Sequence, residues 1–164
     1  MIQITPVIKS NEIEQVALLA EKIWTEHFTP IIGKPQVEYM LDKFQSTSSI
    51  TTQLSEGYEY YLISSAGEFV GYTGLKNEAD RLMISKLYAL DSARGTGIGK
   101  KLLEFIESKA FSCQANVIWL TVNKNNTEVI SWYKRRGFSI VDSVKADIGD
   151  GYFMDDYIME KAVL

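Results

Sequence analysis

Three glycines at alternate positions, Gly95, Gly97 and Gly99, lie between a segment rich in β-forming residues and a strongly amphipathic helix. Glycine has no side chain to shield the backbone, so successive N–H groups in such a turn can converge on one anion. The turn also precedes a helix N-terminus, where the positive end of the helix dipole favours a phosphate group. The sequence therefore predicts a main-chain pyrophosphate site, with Arg94 and Lys100 as nearby countercharges.

Two common phosphate-binding patterns fit this turn poorly. A P-loop has a further glycine five positions before its Gly-Lys pair and a Ser or Thr after it, whereas this chain has Arg94 and Lys101 at those positions. A dinucleotide-binding fingerprint has a third glycine where Lys100 stands. The P-loop is excluded, and a dinucleotide-dependent oxidoreductase stays a distant alternative.

Hydrophobic periodicity predicts one mixed α/β domain over residues 1–164, with acceptor-side helices and a loop within residues 10–57. The pattern favours a central sheet of about six to seven strands flanked by about four helices. Ser10 or Asn11 is expected to cap the first helix, with Glu14 as a capping-box partner, and a loop is expected at 29–34, around Pro30 and Gly33. A second helix should start at Pro35 and a short third one near Ser46. The strands are predicted at 3–8, 58–64, 68–75, 82–90, 117–122, 138–144 and 152–161.

Composition excludes several classes of function. The formal net charge of −4 argues against nucleic acid as the main partner. A single cysteine, Cys113, excludes an intrachain disulfide and argues against a cysteine-built metal site, and no metal site is predicted. No apolar run is long enough to span a membrane, and residues 1–8 lack the features of a secretory signal. A cytoplasmic protein is expected.

A second motif follows the glycine turn after one helix and one strand. The strand residues Leu120-Thr121-Val122 are followed by Asn126, Tyr133 and the pair Gly137-Phe138. Asn126 can cap a helix and reach a ligand with its amide. Tyr133 lies seven residues later, two turns along the same helix face, so both side chains can line one groove. Gly137 is suited to end that helix.

Together, Arg94-x-x-Gly97-x-Gly99 and the segment from Asn126 to Phe138 resemble the acyl-CoA motifs of the GNAT superfamily of N-acetyltransferases. The resemblance has motif-level specificity over 87–138 and covers roughly 68–161. It implies an α+β fold with a mostly antiparallel sheet that splays at the acyl-CoA site. It also implies acetyl-CoA as cosubstrate. Within the superfamily the chain is most similar to bacterial spermidine/spermine N-acetyltransferases, which implies a polyamine-like acceptor.

The resemblance also implies roles for individual residues. Backbone groups of Leu87, Tyr88 and Ala89 would line the pantetheine arm, and one of their N–H groups would polarise the acetyl carbonyl. Asn126 would contact the cofactor, and Tyr133 would act as the general acid. Tyrosine has an ordinary pKa of about 10 and stays protonated at neutral pH, as an acid must. The remaining cofactor-binding residues would be Arg94, Gly95, Thr96, Gly97, Ile98, Gly99 and Lys100.

The general base is not identified by the sequence. Many GNAT relatives have a glutamate on the strand before the glycine turn, and this chain has Ser85 there, with Lys86 next. A water chain assisted by Glu26, Glu78 or a backbone carbonyl is one hypothesis. By the same resemblance, residues after the first helix would form one wall of the acceptor pocket. Asp155 and Asp156 on the last strand could attract a cationic acceptor, and alternation lets at most one of them point inward. Asp155 is the predicted one. The expected acceptor-binding residues are Glu26, His27, Phe28 and Asp155.

These features predict an acyltransferase that moves the acetyl group from acetyl-CoA to a primary amine. Transfer would occur by direct attack in a ternary complex, with a small-molecule amine as partner. The alternatives are a protein or peptide N-acetyltransferase and a non-catalytic acyl-CoA-binding sensor, and turnover with any amine separates the sensor from the enzymes. A homodimer, with pairing of the aromatic-rich last strand, is an open alternative to a monomer.

Overall fold

The computed structural model describes residues 1–163, and a seven-stranded sheet runs through them. The strands are β1 (Ile2–Pro6), β2 (Tyr58–Ser65), β3 (Glu68–Glu78), β4 (Arg81–Ala89), β5 (Val117–Asn123), β6 (Ser139–Gly149) and β7 (Tyr152–Ala162). The helices are α1 (Ser10–Ile32), α2 (Lys34–Gln45), α3 (Thr47–Ser55), α4 (Ile98–Ser112) and α5 (Thr127–Arg135). None of these helices combines the length and the apolar character that crossing a membrane requires.

The strand order is β1-β2-β3-β4-β5-β7-β6. Only the β4–β5 pair is parallel, and every other neighbouring pair is antiparallel. A parallel pair requires a crossover connection, which α4 provides between the ends of β4 and β5. The predicted fold class, a mixed and mostly antiparallel sheet with flanking helices, is confirmed.

The parallel pair separates soon after it forms. Only Arg81, Leu82 and Met83 of β4 pair with β5, although β4 continues to Ala89 and β5 to Asn123. Beyond Met83 the two strands therefore enclose a wedge, and the edge of β4 that faces the wedge has no strand partner. The predicted splay of the sheet is confirmed.

A β-bulge marks the start of the wedge. On β3, Leu75 pairs with Ile84 and Gly74 pairs with Lys86, so Ser85 is an extra residue on β4. A bulge bends its strand and increases the local twist, which directs the rest of β4 away from β5.

Alternation along β2 distributes the core between the two faces of the sheet. Tyr60 and Leu62 pack in the cluster formed with α1, α2 and α3. Tyr61 packs in the cluster that contains Leu103 and Ile106 of α4, on the other face. The period-2 pattern thus gives each layer of helices its own apolar surface, as expected for a strand buried on both faces.

The predicted start and end of the first helix are wrong in detail. The helix begins at Ser10 with Lys9 as its cap, and the Glu12 carboxylate accepts the backbone N–H groups of Ile8 at 3.0 Å and Lys9 at 2.7 Å. Glu14 is therefore not the capping partner. The loop expected at 29–34 is also absent, because α1 continues through Pro30 to Ile32. A proline near the last turn removes only one helical hydrogen bond, to the carbonyl four residues earlier.

The second and third helices begin as the sequence predicts. Gly33, with φ of +87°, is the only residue between α1 and α2, and Pro35 lies in the first turn of α2. Ser46 caps α3 because its hydroxyl accepts the backbone N–H of Ser49 at 3.2 Å. These two caps place three consecutive helices on one face of the sheet.

Leu102 and Leu18 offer a matched test of the core. Leu102 on α4 is fully buried, whereas Leu18 on α1 is 60% exposed. Leu102→Ala should lower the free energy of unfolding by about 2–5 kcal/mol, because it removes buried methyl groups and leaves a cavity. Leu18→Ala should change it by no more than about 0.5 kcal/mol. Urea unfolding of both variants measures the difference, and equal losses would contradict this packing.

Candidate active site

The wedge between β4 and β5 opens into a cavity of about 470 Å³. Its walls include residues 83–89 of β4 and 120–123 of β5, together with side chains from α1, α2, α5 and β7. The cavity therefore reaches from the free edge of β4 to the helices on the face of α1. Its size suits a ligand of drug-like dimensions or part of a larger cofactor.

Tyr133 on α5 lines this cavity and is only 5% exposed. Its ring lies edge-on to Trp132 and Phe138, with both centroid distances at 5.1 Å. Burial raises the pKa of Tyr133 above its ordinary value, so the hydroxyl carries its proton throughout the physiological range. The structure thus brings the predicted acid into the cavity in a protonated state.

Asp156 on β7 lines the same cavity and was not selected by the sequence analysis. It is 4% exposed and pairs across the sheet with Asn123 of β5. Burial, followed by the charge of Asp155, raises the pKa of Asp156 to about 6, while Thr121 and Lys124 act in the opposite direction. A carboxyl group with such a pKa can take up and release a proton near neutral pH.

Asp155, the predicted acceptor-binding carboxylate, does not line the cavity. It is exposed and forms an ion pair with Lys124, with 3.0 Å between Nζ and Oδ1. Consecutive strand residues face opposite sides, and the pairing of β7 with β5 and β6 directs Asp156 inward. The alternation was predictable from the sequence but its phase was not, and the carboxylate that lines the cavity is Asp156 and not Asp155.

Tyr88 on β4 lines the cavity beside the aromatic residues of α1. Its ring packs on Trp24 and Phe28 of α1, at centroid distances of 5.6 and 5.9 Å. Burial raises the pKa of Tyr88, so its hydroxyl also keeps its proton. Tyr133 and Asp156 line the same cavity as Tyr88.

His27 on α1 forms side-chain hydrogen bonds with Asn126 and Arg94, one residue from each of the two sequence motifs. Its Nε2 lies 3.1 Å from Asn126 Oδ1, and its Nδ1 lies 3.3 Å from Arg94 Nη2. Arginine can only donate, so Nδ1 of His27 accepts a hydrogen bond from Arg94. Nε2 therefore carries the ring proton and donates it in a hydrogen bond to Asn126 Oδ1. Burial and the Arg94 charge lower the pKa of His27, which favours this neutral form. The side chain of Asn126 therefore contacts His27 and does not cap α5, although Asn126 occupies the capping position.

The glycine turn has the geometry that a main-chain phosphate site requires. Gly95 and Gly97 have φ of +77° and +85°, and a Cβ at either position would meet no atom within 4 Å. The space in front of the turn is therefore clear, and the first N–H groups of α4 have no helical partner. Gly99 differs, because a Cβ there would lie 3.0 Å from the Trp132 ring. Its small size allows α4 to pack against α5.

The charged residues of the turn lie at its surface. Arg94 pairs with Asp91 at 3.3 Å and with Glu128 at 3.9 Å, and Lys100 is exposed on the first turn of α4. The Thr96 hydroxyl donates to the carbonyl of Ala93 and so stabilises the turn. With the unpaired edge of β4 beside it, this arrangement suits the pyrophosphate and pantetheine parts of a CoA molecule.

Two carboxylates suggested as helpers for the base lie away from the cavity. Glu26 is exposed on α1, whereas its neighbours His27 and Phe28 line the wall. Glu78 is exposed and accepts the indole N–H of Trp119 at 2.9 Å. Within residues 1–163 no three His, Cys, Asp or Glu side chains lie together as a metal site would need.

The splayed sheet, the glycine turn and the buried Tyr133 hydroxyl define an acyl-CoA-dependent transferase. The family model of the acetyltransferase (GNAT) family matches residues 19–138, and the chain belongs to this family. It is an acyltransferase of the N-acetyltransferase type, with acetyl-CoA as cosubstrate.

Individual relatives agree with this assignment. An uncharacterised N-acetyltransferase of Lactobacillus delbrueckii subsp. lactis is 29% identical over 152 residues, which cover 85% of this chain and 87% of that one. An uncharacterised N-acetyltransferase of Mycobacterium bovis is 24% identical over 156 residues, covering 94% and 99% of the two chains.

Solved structures share the fold over nearly the whole chain. The PaiA N-acetyltransferase of Thermoplasma acidophilum, solved in complex with coenzyme A, has a TM-score of 0.82 at 22% identity, with 99% of both chains covered. The ribosomal-protein-S18-alanine N-acetyltransferase of Escherichia coli has a TM-score of 0.74 at 14% identity, covering 99% of this chain and 94% of that one. At these identities the likeness concerns the fold.

The raised pKa of Asp156 predicts a pH-dependent stability difference. In the folded protein the pKa is about 6, and in an unfolded chain it is about 3.9. Below both values the carboxyl is protonated in either state, and above both the buried carboxylate destabilises the fold. Relative to wild type, Asp156→Asn should therefore gain stability between pH 4 and pH 7, by up to roughly 3 kcal/mol.

Urea unfolding of wild type and Asp156→Asn at pH 4, 5, 6 and 7 measures this gain. Asp155→Asn is the control, because it removes an exposed ion pair, which contributes about 1 kcal/mol or less. A stability difference for Asp156→Asn that stays constant across this pH range would show that its carboxyl is not destabilised by burial.

Proposed function

We propose that the protein acetylates a primary amine by direct attack within a ternary complex, with Asp156 as the proton acceptor and Tyr133 as the proton donor. The observation that carries this proposal is that both groups line one cavity, which opens at the free edge of β4. Bound acetyl-CoA supplies the thioester carbonyl that the amine attacks.

Asp156 has the properties that the proton acceptor needs. An amine with a pKa near 10 arrives mostly as an ammonium ion and must lose a proton before it can attack. A carboxylate whose pKa is about 6 is ionised at neutral pH and can take that proton directly or through a water molecule. Its burial in the cavity wall places it within a water-poor site.

Tyr133 and the strand edge would act on the thioester. As the C–N bond forms, a backbone N–H on the unpaired edge of β4, among Leu87, Tyr88 and Ala89, would donate to the carbonyl oxygen. When the C–S bond breaks, the Tyr133 hydroxyl would give its proton to the CoA sulfur. The phenolate would then regain a proton from solvent, since burial holds the pKa of Tyr133 above its ordinary value.

The acceptor would enter from the side of α1–α3, within residues 10–57, where Trp24 and Phe28 form an aromatic wall. A polyamine-like acceptor is supported by Asp156 and by Glu56, a second carboxylate that lines the cavity. The E. coli relative acetylates an alanine of ribosomal protein S18, so a peptide acceptor is the second candidate. The cytoplasmic location expected from the sequence remains a prediction, and a homodimer remains an open alternative to a monomer.

Removal of the Tyr133 hydroxyl tests the acid. Tyr133→Phe keeps the buried ring and should lower kcat by about 10²–10⁴-fold, the usual contribution of general acid–base catalysis. Its affinity for acetyl-CoA should stay near that of wild type, because the hydroxyl acts on the leaving sulfur. Thiol release from acetyl-CoA, with spermidine, amino acids and peptides as acceptors, measures kcat.

Tyr61→Phe is the matched control, since Tyr61 is also a buried tyrosine but does not line the cavity. Equal activity of Tyr133→Phe and wild type would remove Tyr133 as the acid. Tight acetyl-CoA binding without turnover of any amine would favour the sensor alternative.

Ionisation of Asp156 should control the pH dependence of kcat. Because the base acts when ionised, kcat at saturating acceptor should fall about tenfold per pH unit below pH 6 and level off above it. Asp156→Asn should lower kcat and remove this dependence. Asp155→Asn should retain it with a midpoint at lower pH, because the Asp155 charge no longer raises the pKa of Asp156. A wild-type profile that survives in Asp156→Asn would assign the base to another group.

A further inference from the structure

Lys86 on β4 extends into the same cavity and has no role in the reaction scheme. It lies two residues before Tyr88, so both side chains leave the strand on the face that carries α1. A Cβ at Gly74 would lie 3.4 Å from Lys86 Cγ and 3.0 Å from the Tyr60 ring. The glycine at position 74 thus leaves room for the lysine to extend along the acceptor side of the sheet.

No carboxylate within residues 1–163 forms an ion pair with Lys86. Its ammonium group donates to the Ser85 hydroxyl at 2.9 Å, and an ammonium has three protons to donate. Arg94 is the other cation of the cavity wall, and Asp91 and Glu128 already pair with it. Lys86 therefore supplies the uncompensated positive charge of the cavity.

This charge destabilises the protein unless a ligand compensates it. Burial lowers the pKa of Lys86 to about 8, with no contribution from a neighbouring charge. At neutral pH most molecules still carry the proton, so a cation remains in a largely apolar site. A carboxylate held by this ammonium would form a charge-assisted hydrogen bond of about twice the strength of a neutral one.

An anion held by Lys86 would belong to the acceptor and not to the cofactor. The glycine turn precedes α4, and the apolar cluster at the start of α4 includes Leu87 and Ala89, which point to the face opposite Lys86. Asp156 and Lys86 line one cavity without forming an ion pair with each other. A ligand with an amine at one end and an anion at the other can therefore contact both.

We propose that Lys86, assisted by the Ser85 hydroxyl, binds a carboxylate of the acceptor, so that the acetylated amine belongs to an amino acid or a related amine that carries a carboxylate. One ammonium and one hydroxyl match the two oxygens of a carboxylate. The apolar walls, with Trp24 and Phe28, suit an apolar side chain. This inference rests on the proposed function and favours such an acceptor over a polyamine.

Three acceptors test the preference in wild type: phenylalanine, phenethylamine and spermidine. Phenethylamine is phenylalanine without its carboxylate. The kcat/KM for phenylalanine should exceed that for phenethylamine by about 10–100-fold, as expected for a hydrogen bond to a charged group. Spermidine should be the poorer acceptor as well. A preference for spermidine or phenethylamine would overturn the inference and leave the proposed function intact.

Two substitutions assign the preference to Lys86. Lys86→Met should remove the advantage of phenylalanine, mainly through a higher KM, and leave kcat/KM for phenethylamine near wild type. Lys86→Arg keeps the charge and should retain most of the advantage. Lys145→Met, which removes an exposed lysine of β6, is the control and should behave as wild type. An equal loss of kcat for every acceptor in Lys86→Met and Lys86→Arg would make Lys86 a proton acceptor and overturn the proposal.

A binding measurement gives a readout that does not need turnover. With CoA present, 3-phenylpropanoate should raise the Tm of wild type and 3-phenylpropanamide should not. Lys86→Met should have a higher Tm than wild type without ligand, because no charge is buried, and should not respond to 3-phenylpropanoate.

The two proposals fail in different ways. Carboxylate binding that depends on Lys86, without turnover of any amine, would keep Lys86 as a carboxylate site but overturn the proposed function and, with it, the assignment of the carboxylate to an acceptor. If 3-phenylpropanoate stabilises wild type and Lys86→Met equally, or stabilises neither, Lys86 does not bind the acceptor.

Discussion

The separation of β4 from β5 after three residue pairs is the constraint on which the site depends. In a continuous sheet the edge of β4 would be fully hydrogen-bonded to β5, with no N–H group left to polarise a carbonyl. The bulge at Ser85 and the crossover through α4 keep the strands apart. The same separation creates the space into which Tyr133 and Asp156 point. A bulge of one residue therefore lies where the unpaired edge of β4 and the cavity both begin.

The two sides of the wedge are joined by α1. Because this helix continues past Pro30, His27 and Phe28 lie on a rigid element above the wedge. His27 then contacts Asn126 and Arg94, which belong to the two sequence motifs on the cofactor side. Phe28 packs on Tyr88 in the aromatic wall of the cavity. One helix thus positions the polar residues of the two motifs and this aromatic wall relative to each other.

The cavity contains ionisable groups that the fold alone would not favour. Asp156 and Lys86 both have pKa values shifted towards their neutral forms by burial. Each costs stability, and each has a use in the proposed reaction of an amine that carries a carboxylate. Tyr133 differs, because burial reinforces the protonated form that an acid requires. Desolvation favours the neutral form of all three residues. It therefore opposes the charged forms that the proposal assigns to Asp156 and Lys86, and it supports the protonated form proposed for Tyr133.

The sequence by itself determined the local features. The glycine turn, the second motif around Asn126 and Tyr133, the strand alternation and the splay were all predictable, because backbone freedom, side-chain periodicity and family motifs are encoded in short segments. Only the tertiary structure decided that Asp156, and not Asp155, faces the cavity, since the phase of alternation depends on pairing with β5. Only packing allowed α1 to continue through Pro30. The grouping of Lys86, Tyr88 and Asp156 in one cavity also required the folded sheet, because the elements that bury them are distant in sequence.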